Sequence, residues 1–305
     1  MDIWMNGFEH IRYEVSDGIA TVTLNRPEVL NAQTRRMQAE VIAAADLWDQ
    51  DDAVRAVIFT GAGKAYSAGT DLGRTGPAAV LGAGNDGFDP PVVNGVRRDS
   101  GGVMVLRLYE SSKPLIAAVN GAAVGVGATM LLPMDFRIAS ENARFGFVFT
   151  RRGIVPESCS SWFLPRVVGI TQALDWFVTG KVFPASKAQE AGLVSEVVPA
   201  ESLLARAHEI AREIADHTSP VSVALTRHMA WSMLSAPHPM HAHVLESRLF
   251  TARRGCPDTV EGVKSFLEKR KPQFPMTVSS DMPKEFPWWE TPSFDPGNAA
   301  REEGV

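Results

Sequence analysis

Between Leu115 and Met134 the chain runs for 20 residues without a charged side chain, long enough for a membrane-spanning helix. The same run holds Asn120, Gly121, Gly125, Gly127 and Pro133, and Lys113-Pro114 and Asp135 close it off. Its glycines make a poor continuous helix, each costing about 1 kcal/mol relative to alanine. A buried strand, a glycine turn and a short buried helix satisfy the same residues without that cost. No membrane span is therefore expected, and the stretch reads as the deep core of a mixed α/β fold. At 305 residues, 45% hydrophobic and 21% charged, the chain can fill one large domain, or a domain with a smaller appendage.

Periodicity places the other elements around that core. Ile11 to Val15 and Ile19 to Leu24 are strand-like runs joined through Ser16-Asp17-Gly18, a hairpin signal. Met37, Val41, Ala45 and Trp48 mark one face of a helix that Thr34 is placed to cap. Ala56 to Thr60 is a short apolar strand, followed by a loop from Gly61 to Asp71. Residues 73–102, rich in Gly, Pro, Asn and Asp, read as a long surface loop or lid. A helix from Val103 to Tyr109 leads to the strand Leu115 to Val119. The glycine segment Asn120 to Gly127 then opens a helix through Leu132, and Phe136 to Ala139 is the next strand. Helices near Thr171 to Thr179 and over Ser186 to Ala191, closed by Gly192, precede a strand from Val194 to Val198.

After Pro199 only helical spacing remains, over Leu203 to Ala215, Val221 to Leu234, Ala242 to Arg253 and Asp258 to Lys269. The expected division is a mixed core over 1–199, a helical region over 200–275 and an irregular tail over 276–305. Trp288-Trp289 is placed to anchor that tail on the body or a partner, and the tail and the 73–102 segment are expected to shape or cover a pocket.

Charge narrows the class. Thirty basic against 35 acidic side chains leave a net charge of −5, with no basic field for nucleic acid or an anionic membrane. Cys159 and Cys256 cannot build a disulfide framework and suit a reduced cytosol. Met1 to Asn6 has no basic start followed by an apolar run, so no secretory signal is expected and the location is read as cytoplasmic.

Several motifs fail. Gly61-Ala62-Gly63-Lys64 has Ile58 and Ala65 where a phosphate loop needs glycine and a hydroxyl. Gly125-x-Gly127 lacks the third glycine of a dinucleotide fingerprint. Ala65-Tyr66-Ser67-Ala68-Gly69 lacks the first glycine of a nucleophile elbow. His241 and His243 point apart on a helix, and no cysteine joins them and His238, so no metal site is expected.

Two turns survive: Tyr66-Ser67-Ala68-Gly69-Thr70-Asp71-Leu72 and Asn120-Gly121-Ala122-Ala123-Val124-Gly125-Val126-Gly127. Small residues let a ligand approach the backbone, and a helix N-terminus offers unpaired N–H groups. Two such turns facing one another would aim two donors at one oxygen, which is an oxyanion hole. These turns, with Pro156-Glu157-Ser158-Cys159-Ser160-Ser161 and Glu261-Gly262-Val263-Lys264-Ser265-Phe266-Leu267-Glu268-Lys269-Arg270, resemble the enoyl-CoA hydratase/isomerase (crotonase) superfamily from about Ile11 to Phe274.

That resemblance implies an α/β spiral of ββα repeats followed by C-terminal helices that mediate trimerisation, as a homotrimer or a hexamer built as a dimer of trimers. It implies an acyl-CoA substrate and no cofactor beyond that CoA thioester. The amides of Ala68 and Val126 correspond to those that hold the thioester carbonyl, and Val126 in place of a commoner glycine fits if its φ is negative. Ser67, Gly69, Asp71, Leu72 and Gly125 are the substrate-contacting positions around them, with Asp71 ordering the first turn by accepting backbone N–H bonds. Lys264, Phe266 and Lys269 are candidates to meet the CoA phosphates and adenine, in this subunit or a neighbouring one. Asp135, just before a strand, is read as structural.

The reaction turns on departures from the family pattern. The two hydratase glutamates align with Thr129 and Phe149, neither of which can replace a carboxylate. Glu157 is the compensating candidate, because the Pro-Glu-Ser-Cys-Ser-Ser run resembles the Δ3,Δ2-enoyl-CoA isomerases. One carboxylate suffices for a double-bond shift, and an acyl pocket containing Thr129, Phe149 and Trp162, with Phe147 nearby, is expected to raise its pKa. The alternatives are hydration of a 2-enoyl-CoA, another family reaction such as decarboxylation or hydrolysis, and a non-catalytic acyl-CoA scaffold.

Overall fold

The computed structural model describes residues 7–73 and 88–295. A hairpin of β1 (Ile11–Ser16) and β2 (Ile19–Leu24) pairs Ile11 with Leu24. Next come α1 (Arg35–Gln50), β3 (Ala56–Gly61) and β4 (Ala65–Ser67). A two-stranded ribbon of β5 (Val92–Val93) and β6 (Val96–Arg97) precedes α2 (Ser100–Tyr109). Then follow β7 (Leu115–Val119), β8 (Ala122–Val124), the one-turn α3 (Val126–Thr129), β9 (Phe136–Ser140) and β10 (Arg144–Gly146). The mixed part ends with α4 (Ser160–Val168), α5 (Ile170–Thr179), β11 (Val182–Pro184), α6 (Ala185–Glu190) and β12 (Glu196–Val198). Helices α7 (Leu203–His217), α8 (Pro220–Met233), α9 (Pro239–Arg253), α10 (Pro257–Glu268) and α11 (Val278–Asp281) complete the chain.

Two sheets carry the fold. The larger has the order β1-β2-β3-β7-β9-β12 and is parallel from β2 onward; the smaller has the order β11-β10-β8-β4, parallel except for the β11–β10 pair. The larger sheet is buried on both faces, which is why β3 and β7 read as unbroken apolar runs. Val57, Phe59, Leu115, Ala117 and Val119 face the main core with α1 and α2. Ala56, Ile58, Ile116 and Ala118 face Leu203, Ala207 and Ala211 of α7.

Most sequence-predicted elements stand where expected. Thr34 caps α1, its hydroxyl accepting the Met37 N–H. Three expectations change. The 73–102 loop is narrower than read: residues 74–87 lie outside the described residues, 88–99 include the β5–β6 ribbon, and α2 starts at Ser100. The glycine segment holds a strand, β8, and the helix after it spans only Val126–Thr129. The boundary at 199 separates kinds of secondary structure but not packing, because α7 closes the back face of the main sheet.

Arg227 of α8 ties the helical part to α2. Its buried guanidinium meets Asp135 at 2.9 Å and donates to the carbonyls of Leu108, Tyr109, Ser111 and Pro133. A cation at the unpaired carbonyls of a helix end is well placed, and Asp135 also accepts the Leu115 N–H, the structural role expected of it. Replacing Arg227 by methionine strands Asp135 and these carbonyls together. The expected loss is about 3 kcal/mol, read as a lowered denaturation midpoint in guanidinium chloride; Arg227→Lys, with no planar fork, recovers little of it.

Candidate active site

β4 and β8 are parallel neighbours, Ala65 opposite Ala122 and Ser67 opposite Ala123, so their following turns emerge at one end of the small sheet. Gly69 (φ +96) and Gly125 (φ +56) lie in the left-handed region that favours glycine. A Cβ on Gly69 would stand 2.8 Å from the Val124 carbonyl oxygen, so the two turns abut. Gly125 absorbs the positive φ, which lets Val126 begin α3 with a negative one. The Val126 N–H has no acceptor among the described residues. The Ala68 N–H differs from expectation: it donates to the Leu30 carbonyl at 3.0 Å. Leu30 and Asn31 are both left-handed (φ 55 and 54), and the Asn31 side chain fixes this bend by donating to the Ala62 and Ala65 carbonyls.

Glu157 opens onto a cavity of about 690 Å³ bounded by α2, the 154–159 segment and Phe294 of the tail. Thr129 Oγ1 donates to its Oε1 at 3.0 Å, and Ser158 Oγ donates to its Oε2 at 2.6 Å. Ser158 and Cys159 are both left-handed (φ 55 and 54), an unusual pair for side-chain-bearing residues. Asp99 secures them. Its Oδ2 accepts the Ser158 N–H at 2.7 Å and the Gly102 N–H at 2.9 Å, while Oδ1 accepts the Gly101 N–H at 3.0 Å. One carboxylate thus caps α2 and clamps the turn that bears Glu157. The close approach needs glycine at 101, where a Cβ would lie 2.7 Å from Glu157 Oε2 and 2.2 Å from Ser158 Oγ.

The two hydroxyl donors favour ionised Glu157, but burial first and the Asp99 charge second outweigh them, raising its pKa from 4.5 to about 7. A carboxyl so balanced can both accept and return a proton near neutral pH.

The other expected site residues divide. Thr129 bonds Glu157 directly rather than merely lining a pocket. Phe149 is buried in the main core, where its carbonyl accepts the Arg152 and Ile154 N–H groups. Trp162 packs against Tyr109, Phe163 and Trp231 beneath Arg166. Neither Phe149 nor Trp162 lines the cavity, and Phe147 stacks on Trp176. Ser67 is spent on the Asn31 carbonyl and the Gly69 N–H, and Gly125 donates to Gly146. Asp71 accepts the Gly73 N–H, as expected of an ordering residue, and also pairs with buried Arg26 at 2.8 Å. Leu72 is exposed. Lys264, Phe266 (81% exposed) and Lys269 belong to α10 and its cap, and none lines the cavity.

The profile of the enoyl-CoA hydratase/isomerase family matches residues 14–276. The chain belongs to that family. It is 44% identical over 264 residues to an enoyl-CoA hydratase of Alternaria alternata, covering 86% of this chain and 85% of the relative. It is 34% identical over 278 residues to the 1,2-epoxyphenylacetyl-CoA isomerase of Escherichia coli, covering 87% and 98%. A crystal structure of a probable enoyl-CoA hydratase/isomerase from Mycobacterium abscessus superposes with a TM-score of 0.76 at 31% identity, covering 87% of this chain and 98% of that one.

Within this family frame, sequence reasoning missed Asp99, Gly101 and Arg26. The signal for Asp99 was present: an Asp followed by an apolar-periodic segment is a cap pattern, hidden here because Gly101-Gly102 reads as a loop. Glu157 also leaves a stability signature. The folded state holds its proton more tightly than the unfolded chain, so unfolding releases a proton between pH 4.5 and about 7. Across that window rising pH destabilises the fold, and above it the penalty is constant. Glu157→Gln removes the penalty, so its melting temperature relative to wild type is expected to rise by a few degrees from pH 5 to pH 8, of order 1–3 kcal/mol; a pH-independent difference would contradict the assignment.

Proposed function

We propose that this family member shifts the double bond of a 3-enoyl-CoA to the 2-position. Glu157 carboxylate removes a proton from C2, and the electron pair spreads over the dienolate, with negative charge on the thioester oxygen. The proton returns from Glu157 to C4, and the double bond comes to rest between C2 and C3. The observation that carries this reading is the Glu157 carboxyl, balanced near pH 7, opening onto the cavity and bonded by Thr129; the resemblance, in turn, implies Thr129 and Phe149 where hydratases carry their glutamates. The free Val126 N–H is the donor for the enolate oxygen. The Ala68 N–H joins it by leaving the Leu30 carbonyl, an exchange favoured by the stronger acceptor strength of a charged oxygen.

Hydration of a 2-enoyl-CoA is the second reading, favoured by relatives that carry the name enoyl-CoA hydratase. Assembly into trimers remains an expectation of the resemblance. It is supported by an exposed apolar stripe on α10 (Val260, Val263, Phe266, Leu267) and by an apolar groove of about 600 Å³ along α8.

Matched 2-enoyl- and 3-enoyl-CoA substrates in heavy water separate the readings by product mass. Isomerisation predicts rapid conversion of the 3-enoyl ester with no added water, and deuterium at C4 only to the extent that the Glu157 carboxyl exchanges with solvent before it returns the proton. Glu157→Gln is expected to lower that turnover by about 10²–10⁴. An added water on the 2-enoyl ester at comparable turnover would establish hydration instead.

The pH profile tests the electrostatics. Because Glu157 must be ionised to take the C2 proton, kcat/KM is expected to rise with pH through about 7. Asp99→Asn keeps an acceptor for the cap but removes the charge, and should move that limb down by about one pH unit.

A further inference from the structure

The cavity beside Glu157 is not a plain hydrocarbon slot. Arg35, Arg97 and Arg98 all line it. Arg35 and Arg97 share Asp89 as their ion-pair partner. Arg98 is different: among the described residues its guanidinium meets no carboxylate and lies over the ring of Phe294, 5.0 Å from the centroid. Its backbone is fixed, the N–H donating to the Pro91 carbonyl at 3.1 Å, one residue before Asp99 caps α2. A guanidinium with one face on an aromatic ring keeps its in-plane N–H fork open for a planar oxyanion.

An unbranched hydrocarbon chain would leave that fork without an ion partner.

We propose that the acyl group held here carries a carboxylate remote from the thioester, and that Arg98 binds it. The inference rests on the acyl-CoA reading of the site but not on which reaction follows. The same guanidinium could meet a CoA phosphate, since both ligands are oxyanions, and the experiment has to tell them apart.

Binding of saturated, unreactive esters does so by calorimetry: hexanoyl- and octanoyl-CoA, the mono-CoA esters of the C6 and C8 dicarboxylic acids, and free CoA, each with wild type, Arg98→Met and Arg98→Lys. The expected result is that wild type binds at least one carboxylated ester about tenfold or more tighter than its uncharged counterpart of equal length. Arg98→Met erases that ratio, and Arg98→Lys, which keeps charge but not the fork, recovers part of it. Circular dichroism establishes that the variants are folded. Equal binding of both ester types by wild type, a ratio that survives Arg98→Met, or an equal loss on all ligands including free CoA (a phosphate contact) would each overturn the proposal. Failure to bind any CoA ester would overturn it together with the acyl-CoA reading. Turnover assays on the 3-enoyl counterparts keep the two proposals separate: a carboxylate preference without turnover sinks the isomerase and leaves this site standing.

Discussion

The first turn of α2 lies against the Glu157–Cys159 turn so closely that no side chain fits between them at Gly101. The remaining geometry of the site depends on that contact. Asp99 holds it by accepting amides from both sides, two from its own helix and one from Ser158. The far end of the same helix is held by Arg227, which reaches it from the region after residue 199. The helical part therefore supports the helix against which the Glu157 turn packs without touching that carboxyl. Removing a support from either end of α2 would let Glu157 drift, and misplacement on the scale of an ångström is costly to a proton transfer.

The small sheet does the corresponding work for the Val126 amide, the donor of the proposed oxyanion site. Parallel pairing of β4 and β8 brings Gly69 and Gly125 together and leaves the first amide of α3 unpaired. Because the donor is main chain, the side chain at 126 is free to vary, and valine there costs nothing once Gly125 carries the left-handed backbone. The smaller sheet's orientation is fixed by burial and by register, which a strand cannot slip without turning its core face outward.

Periodicity made the strands of the main sheet and α1 legible, since Met37, Val41, Ala45 and Trp48 can only be one buried face. The glycine turns were legible because few other residues tolerate that backbone. Glu157 was visible as a departure from the family pattern, and the structure places it at an opening. What the sequence concealed were long-range electrostatic partners. Asp99 is 58 positions before Glu157 in the chain, in a stretch whose composition reads as loop, and Arg26 meets Asp71 across a turn with no motif of its own. Trp162 and Phe149 were misplaced for the opposite reason: both are apolar and near Glu157 in sequence, but each has a better packed aromatic or core neighbour elsewhere.

Asp99 also resolves a conflict between two demands on the cavity. A base working near pH 7 has to be kept away from cations, because a guanidinium close by would hold it ionised and weaken it. A site for an anionic acyl group needs such a guanidinium in the same opening. Burial first, then the charges of Asp99 and Glu157, push the Cys159 thiol up, with Arg98 opposing them only in part, while at Glu157 burial and then the Asp99 charge raise the carboxyl. The adjacent Arg98 and Asp99 thus face different neighbours, the cation toward the cavity and Phe294, the anion toward the clamped turn. Reversing that order would pair the cation with Glu157 and turn the carboxylate toward the cavity, so in the proposed reading the order Arg98-Asp99 separates anion binding from proton transfer.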